Sequence, residues 1–226
     1  MPQKNSKSRK TLVAVFAHPD DESFGPCCTL HKYTKTHDVY IICATKGEVG
    51  LSPKYGSNNT LGEIRAKELE KSAKLIGAKK VLFLGFLDGT LSNSLYHQLA
   101  SKIESKLKEL KPEIVITFEP RGVSGHIDHI TVSMATTFVV QKLSYVKKLL
   151  YFCLSEEKRN TFGDYFIYFP PGYKKSEITK TVDVSSLWDL KIKAMAMHQS
   201  QKSDGQMVLK AISRAPKEEH FLELKK

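Results

Sequence analysis

The stretch Thr11–Ser23, TLVAVFAHPDDES, joins two kinds of chemistry. Residues 11–17 are continuously apolar, the pattern of a strand covered on both faces, as strands of parallel sheets are. His18, Asp20, Asp21 and Glu22 then follow within five positions, with Pro19 among them. A buried strand that ends in ionisable groups sets them along one edge of a sheet. In open α/β sheets, ligands bind beyond the carboxyl ends of the strands, where the strand order reverses.

The rest of the chain repeats a strand–helix alternation. Apolar runs at 38–45, 79–86, 113–118 and 147–155 read as strands, and the segments 165–169 and 181–185 as shorter edge strands. Helices are predicted over 22–34, with Gly25 and Pro26 near the start, over 63–77 and 95–110, from near His126, and over 186–201. Ala66, Leu69, Ala73 and Ile76 mark one buried stripe, and Leu95, Leu99, Ile103, Leu107 and Leu110 another. Residues 46–62 read as a loop rich in Gly, Ser and Asn. The alternation predicts a Rossmann-like α/β fold, a mostly parallel sheet with helices on both faces. The expected organisation is a basic disordered tail over 1–10, a single domain over 11–201, and a partly irregular C-terminal extension of that domain over 202–226.

Composition narrows the function classes. A chain of 226 residues suits one substantial core. With 41% hydrophobic and 26% charged residues it reads as an ordinary globular protein. It contains no apolar run near the ~20 residues of a membrane span, and its opening MPQKNSKSRK lacks the apolar region of a secretory signal; the expected location is cytoplasmic. The net charge of +11 is spread over lysines without an interleaved aromatic stripe, so no specific nucleic-acid partner is expected. Cys27, Cys28, Cys43 and Cys153 show no C-x-x-C spacing and read as buried thiols. Oligomeric state is left open, with a homo-oligomer allowed.

A second polar cluster, GHIDH at 125–129, follows the strand 113–118. His126 and His129 are spaced to share a helix face. One His and one Asp from the first loop and one His from the second match the three protein ligands of a catalytic zinc. Neighbouring Asp20 and Asp21 point in different directions, so one can hold the metal while the other acts as general base on its water, whose pKa the metal lowers to about 7. A further His can stabilise an oxyanion or protonate a leaving amine. Alone, HPDD reads as capping or turn chemistry, and HIDH as a surface feature. Two of them, each directly after a strand at the expected switch point, read as a metal site.

AHPDDE with a later GHIDH resembles the PIG-L/LmbE-like family of zinc-dependent N-acetylglucosaminyl deacetylases. CATKGEVG (43–50), LGEIRAKEL (61–69), FLGFLDGTL (83–91) and KIKAMAMHQSQ (191–201) look like further blocks of that family in the same order, so the resemblance covers roughly 11–201. It implies His18, Asp21 and His129 as ligands of one Zn²⁺, with other divalent metals such as Fe²⁺ compatible. It implies Asp20 as general base, His126 as the group that stabilises the oxyanion and protonates the amine, and Asp128 as a residue that orients the histidine. Ile127 stands where Pro is common and is expected to face away from the metal. The implied substrate is a small molecule, an N-acetylglucosamine-type amino sugar or its conjugate. By the same resemblance Glu48, Arg65, Asp88 and His198 are candidates for substrate binding, although Arg65 can instead pair with Glu63 or Glu68 and His198 can be structural. Two other readings stand beside it: a catalytically silent carbohydrate-binding protein of the same fold, and a non-haem iron enzyme, whose two-His-one-carboxylate set usually sits on a β-barrel scaffold. The aromatic segment 165–173 reads either as an interface or as a cleft wall.

Overall fold

The computed structural model describes residues 9–50, 52, 55, 59–163 and 166–225. Most of the expected tail, residues 1–8, lies outside these, as do parts of the 46–62 loop and Tyr165 of the expected 165–169 strand. In chain order the elements are β1 (Lys10–Phe16), α1 (Asp21–Phe24), α2 (Cys27–Tyr33), β2 (His37–Cys43), α3 (Asn59–Ile76), β3 (Lys80–Phe83), α4 (Tyr96–Leu110), β4 (Ile114–Phe118), α5 (Gly122–Gly125), α6 (Ile127–Lys142), β5 (Lys148–Cys153), α7 (Glu156–Arg159), β6 (Lys180–Asp183), α8 (Trp188–Ala196), α9 (Lys202–Ile212) and β7 (Glu218–Lys225).

The strands form one sheet in the order β3-β2-β1-β4-β5-β7-β6. The run from β3 to β5 is parallel, while β7 is antiparallel to both β5 and β6. Leu12 to Phe16 are all buried, so β1 hides both faces, as its unbroken apolar run requires. The chain builds outward from β1 to β2 and β3, then returns to place β4 on the other side of β1. Right-handed crossovers in two opposite directions put helices on opposite faces. Accordingly α4 packs on α6, and both on β1, while α2 and α3 pack with α8. The reversal leaves a crevice between the carboxyl ends of β1 and β4. No helix among the described residues is long and apolar enough to cross a membrane. The four cysteines are free and buried.

Four expectations are corrected. The helix expected over 22–34 is two helices, because Gly25 leaves helical geometry and Pro26 cannot donate a backbone N–H. Residues 166–168 are bends rather than a strand. The end of the expected tail belongs to the fold: Arg9 pairs with Asp38 at 3.1 Å, and Lys10 begins β1. The C-terminal segment is more regular than expected, with α9 and the eight-residue β7 flanking a short irregular stretch at 213–217. The glutamates of EEHFLELK mask this strand in the sequence, since Glu219 is buried for a different purpose. Its two oxygens accept the backbone N–H groups of Cys28 (3.1 Å) and Thr29 (2.7 Å) at the start of α2, and Oε1 lies 3.3 Å from Lys191 Nζ.

Candidate functional site

β1 ends in a turn that the backbone can hold only under strain. Asp20 has φ 112°, a left-handed conformation costly for a residue with a side chain, and strained residues of this kind cluster at functional sites. The turn is held by Glu22, whose Oε2 accepts the Asp20 N–H at 3.1 Å, and by Asp21, whose Oδ2 accepts the N–H groups of Ala17 (3.1 Å) and His18 (2.7 Å). After β4, Glu119 organises the second turn by accepting the N–H groups of Arg121 and Val123, each at 2.9 Å. Gly125 then leads into α6 at φ 82°, where a Cβ would stand 2.2 Å from the Tyr168 carbonyl oxygen, so only glycine fits.

The two turns bring His18, Asp21 and His129 together. His18 Nδ1 lies 3.2 Å from His129 Nε2, Asp21 Oδ1 lies 3.2 Å from His129 Nε2, and Asp21 Oδ2 lies 3.9 Å from His18 Nδ1. The other nitrogen of each ring is committed elsewhere. His129 Nδ1 donates to the Gly122 carbonyl at 3.1 Å. His18 Nε2 faces Asp88 Oδ1 at 2.9 Å and Asp128 Oδ2 at 3.3 Å, two acceptors that call for a proton on that nitrogen. With both rings neutral, as metal ligation requires, His18 Nδ1 and His129 Nε2 present lone pairs to each other and to a carboxylate, a crowding that a proton on His18 relieves when no metal is there. Lone pairs converging in this way repel unless a cation lies among them, so the donor set fits a metal ion, and the outer carboxylates are the partners such imidazoles need. Two overlapping groups have donor atoms mutually within 4.8 Å: His18, His126 and His129, and His18, Asp88 and Asp128.

The charges follow this geometry. Burial works against a charge on His18, but hydrogen bonds to Asp128 and Asp88 and the charges of Asp21 and Asp88 outweigh it and raise the pKa to about 10. Burial also opposes ionisation of Asp21, yet His129, His18 and the His18 backbone N–H hold it well below the usual carboxylate range. Burial raises Asp20 to about 6; Arg65 pulls it down while Asp21 pushes it up. Burial lowers His126 to about 4, helped by His129 and His18, so that imidazole is neutral at neutral pH. His126 is the N-cap of α6, with Nδ1 accepting the Asp128 N–H at 3.2 Å, which leaves the proton of the neutral ring on Nε2. Its ring lies at 4.8 Å from that of His129 and 5.5 Å from that of Phe166. Ile127 is 53% exposed and points away, as expected.

The residues expected at the sugar rim divide differently. Arg65 is buried; Nη1 donates to the Gly47 carbonyl, and Nη2 donates to the Pro19 carbonyl and to Asp20 Oδ2, each at 2.9 Å. It pairs with the expected base rather than with Glu63 or Glu68 of its own helix. Gly47 and Gly50 make room for it, since a Cβ on either would lie within 2.4 Å of its guanidinium. Asp88 lines the cavity but gives Oδ1 to His18. Glu48 accepts the Asp88 N–H at 3.3 Å and so supports that loop. His198 is not at the rim. It is buried and meets Glu22 Oε1 at 2.7 Å, one layer behind Asp20. Sequence reasoning missed Glu22 as the link between them. Its place inside AHPDDE was visible, but its partners, Ser72 at 2.6 Å and His198, lie far along the chain. The cluster opens into a cavity of about 750 Å³, within the range of small-molecule sites.

Comparisons with known proteins agree on the lineage. A family model described as PIG-L: GlcNAc-PI de-N-acetylase matches residues 13–140. A probable N-acetyl-alpha-D-glucosaminyl L-malate deacetylase 2 of Bacillus anthracis is 30% identical over 207 residues, covering 86% of this chain and 83% of its own. Among solved structures, N,N'-diacetylchitobiose deacetylase from Pyrococcus horikoshii superposes with a TM-score of 0.72 at 22% identity, covering 99% of this chain and 86% of that one. GalB, a 4-carboxy-2-hydroxymuconate hydratase from Pseudomonas putida, superposes with a TM-score of 0.75 at 14% identity, covering 96% of this chain and 97% of that one. One fold thus carries different reactions, and function has to be argued from the site. The sequence match to the family model and the shared length with the bacterial relative establish that this chain belongs to the PIG-L family of de-N-acetylases.

Proposed function

We propose that the chain is a zinc-dependent hydrolase that removes the N-acetyl group from an N-acetylglucosamine-type amino sugar or its conjugate. The observation that supports it is the convergence of the His18, His129 and Asp21 donor atoms beside Asp20. These three residues would hold the metal, with Asp88 and Asp128 fixing the His18 ring. When bound, Zn²⁺, or another divalent ion such as Fe²⁺, would polarise the amide carbonyl and make hydroxide available near neutral pH.

The chain's own residues supply the proton transfers. Asp20, with a pKa of about 6, is ionised at neutral pH and takes the proton of the attacking water. The Nε2–H of neutral His126 donates to the oxygen that becomes negative as the carbonyl carbon turns tetrahedral. The C–N bond then breaks, a proton goes to the departing nitrogen, and the products are a carboxylate and a free amine. Arg65 holds Asp20 in place and keeps its carboxyl ionised.

The relatives support this substrate class, since the Bacillus anthracis protein is described as acting on an N-acetylglucosaminyl conjugate. Asp20 and His126 both face the cavity, which counts against a silent binding protein. The mostly parallel sheet counts against the β-barrel of iron oxygenases. The test is release of acetate by the zinc-loaded protein from a panel of N-acetylglucosamine conjugates. Asp20→Ala is expected to abolish release while zinc stays bound; full activity in that variant would overturn the assigned base, and oxygen-dependent turnover would overturn the hydrolase reading.

A further inference from the structure

α6 is apolar on both of its faces. Its inner face carries Val132, Ala135, Val139 and Val140 and packs on β1, β4 and α4. On its outer face the exposed residues before the last turn are Ile127, Met134 and Phe138, each about half exposed, with Ile130 half-buried between the first two. That spacing sets one apolar stripe along the helix. Among the described residues of α6, no Asp, Glu, Lys or Arg is exposed before Lys142, whose Nζ lies 3.6 Å from the centre of the Phe138 ring. A helix that is apolar all round belongs in an interior rather than at a surface. The segment 166–168 adjoins the start of this stripe. The Tyr168 carbonyl oxygen lies against Gly125, and the Phe166 ring stands 5.5 Å from that of His126, the residue before Ile127. Phe166 lines the cavity, but Ile167 is 96% exposed and Tyr168 68%. Together these form one patch, a protruding tip at one end and an uncovered stripe running away from it. Taking a large side chain as about 150–250 Å² when fully exposed, the patch offers about 600–700 Å². That exceeds the ~300–600 Å² of the largest patch on a typical monomer and approaches the ~800 Å² that each partner of a standard interface buries.

From this patch we propose that the chain pairs with a second copy of itself across a two-fold axis, α6 against α6 in antiparallel sense. A two-fold contact uses the same surface on both copies, so that surface must be self-complementary. A tip at one end of a stripe meets this condition. Antiparallel pairing lays Ile167 and Tyr168 of each copy on the Phe138 end of the other copy's helix, and Ile127 beside them. It also sets the two Lys142 ammonium groups at opposite ends of the contact. Each helix has 16 residues, so these charges stand about 24 Å apart, well beyond the screening length of about 8 Å at physiological salt. The chain's excess of positive charge therefore does not fall on the seam. A lipid surface would call for basic residues along the flanks of an apolar helix face, and α6 offers Lys142 alone. The pairing covers the side of the cavity mouth where Phe166 stands over His126.

The experiment is sedimentation velocity of the full chain over a wide concentration range, with the mass checked by light scattering. The native chain is expected at twice the mass of one chain or an even multiple of it. Phe138→Glu and Ile167→Asp, one at each end of the patch, are each expected to halve that mass, with an unchanged circular dichroism spectrum reporting an intact fold. Hydrogen exchange of the native chain reads the same contact without a substitution: dilution to the single-chain state should raise exchange over 166–168. A native chain of single mass at every concentration overturns the inference. So does an odd-numbered assembly, or one whose mass neither substitution changes. A single chain that co-sediments with phosphatidylglycerol vesicles, and no longer does so in either variant, assigns the patch to a lipid surface and overturns the pairing as well. None of these outcomes bears on the hydrolase reading, which acetate release tests separately.

Discussion

Glu22 Oε1 and His198 Nε2 meet at 2.7 Å with neither side chain reached by solvent, and the other oxygen of Glu22 holds the backbone N–H of Asp20. A pair this deep supports the strained turn on which the proposed base stands. Breaking a buried pair from one side leaves an uncompensated group. Glu22→Ala also strips the Ser72 hydroxyl and the Asp20 N–H of their acceptor. It is expected to cost about 3–5 kcal/mol in urea unfolding.

The same pair has a pH signature. Burial opposes a charge on His198, but Glu22, then Asp20 and Glu68, outweigh it and raise its pKa above the ordinary value. A group whose pKa is raised on folding contributes stability that is complete below its unfolded value, about 6.5 for histidine, and is lost as the pH climbs through the folded value. The stability gap between the native chain and His198→Gln should therefore be widest at mildly acid pH and narrow from about 6.5 upward. Urea unfolding at several pH values measures it; a gap that widens with pH would contradict the pair's charge.

Asp20 must be ionised to accept a proton. kcat/KM is expected to rise with pH through about 6, the value to which burial lifts this carboxyl. Arg65 lowers that pKa, so Arg65→Gln should move the acidic limb to higher pH as well as reduce the rate. A limb that stays in place would show that another group controls the profile.

Asp88 and Asp128 hold the His18 ring from outside the proposed metal position. Asp88→Ala and Asp128→Ala are each expected to weaken zinc binding by about 10–100-fold, read by competition with a chelator. Asp128 also accepts the Gly89 N–H at 2.8 Å and the Leu91 N–H at 3.3 Å, so its loss should disturb the 88–91 loop as well. Chelation of the native chain should abolish hydrolysis, and added Zn²⁺ should restore it.

Gly125→Ala tests the second turn. The added methyl would meet the Tyr168 carbonyl in a backbone conformation that alanine avoids, and His126 is the next residue. The rate should fall through displacement of His126, with zinc affinity less affected because His129 is held separately by the Gly122 carbonyl.

Much of the site is legible in the chain because its key residues sit at strand ends. Local hydrophobic pattern marks where β1 and β4 stop, and topology then brings their following turns to one crevice; His18, Asp20, Asp21, His126 and His129 could be picked out this way. Arg65 and His198 could not be placed, since a helix position alone does not say which neighbour a side chain meets. β7 was hidden for a related reason. Its glutamates look like surface residues until Glu219 is seen at the start of α2, a partnership spanning 191 positions.

By itself, then, the sequence determined the parallel core of the sheet, the point where its order reverses, and the residue types gathered there, because periodicity and turn chemistry act over a few neighbouring positions. Only the tertiary structure decided which nitrogen of His18 and His129 is free for a metal, that His198 lies behind Asp20 rather than beside a sugar, and that aromatic residues from distant segments wall part of the cavity. Hydrogen-bond partners and cavity walls come from segments far apart in the chain, as Glu22 and His198 are by 176 positions, and only packing brings them face to face.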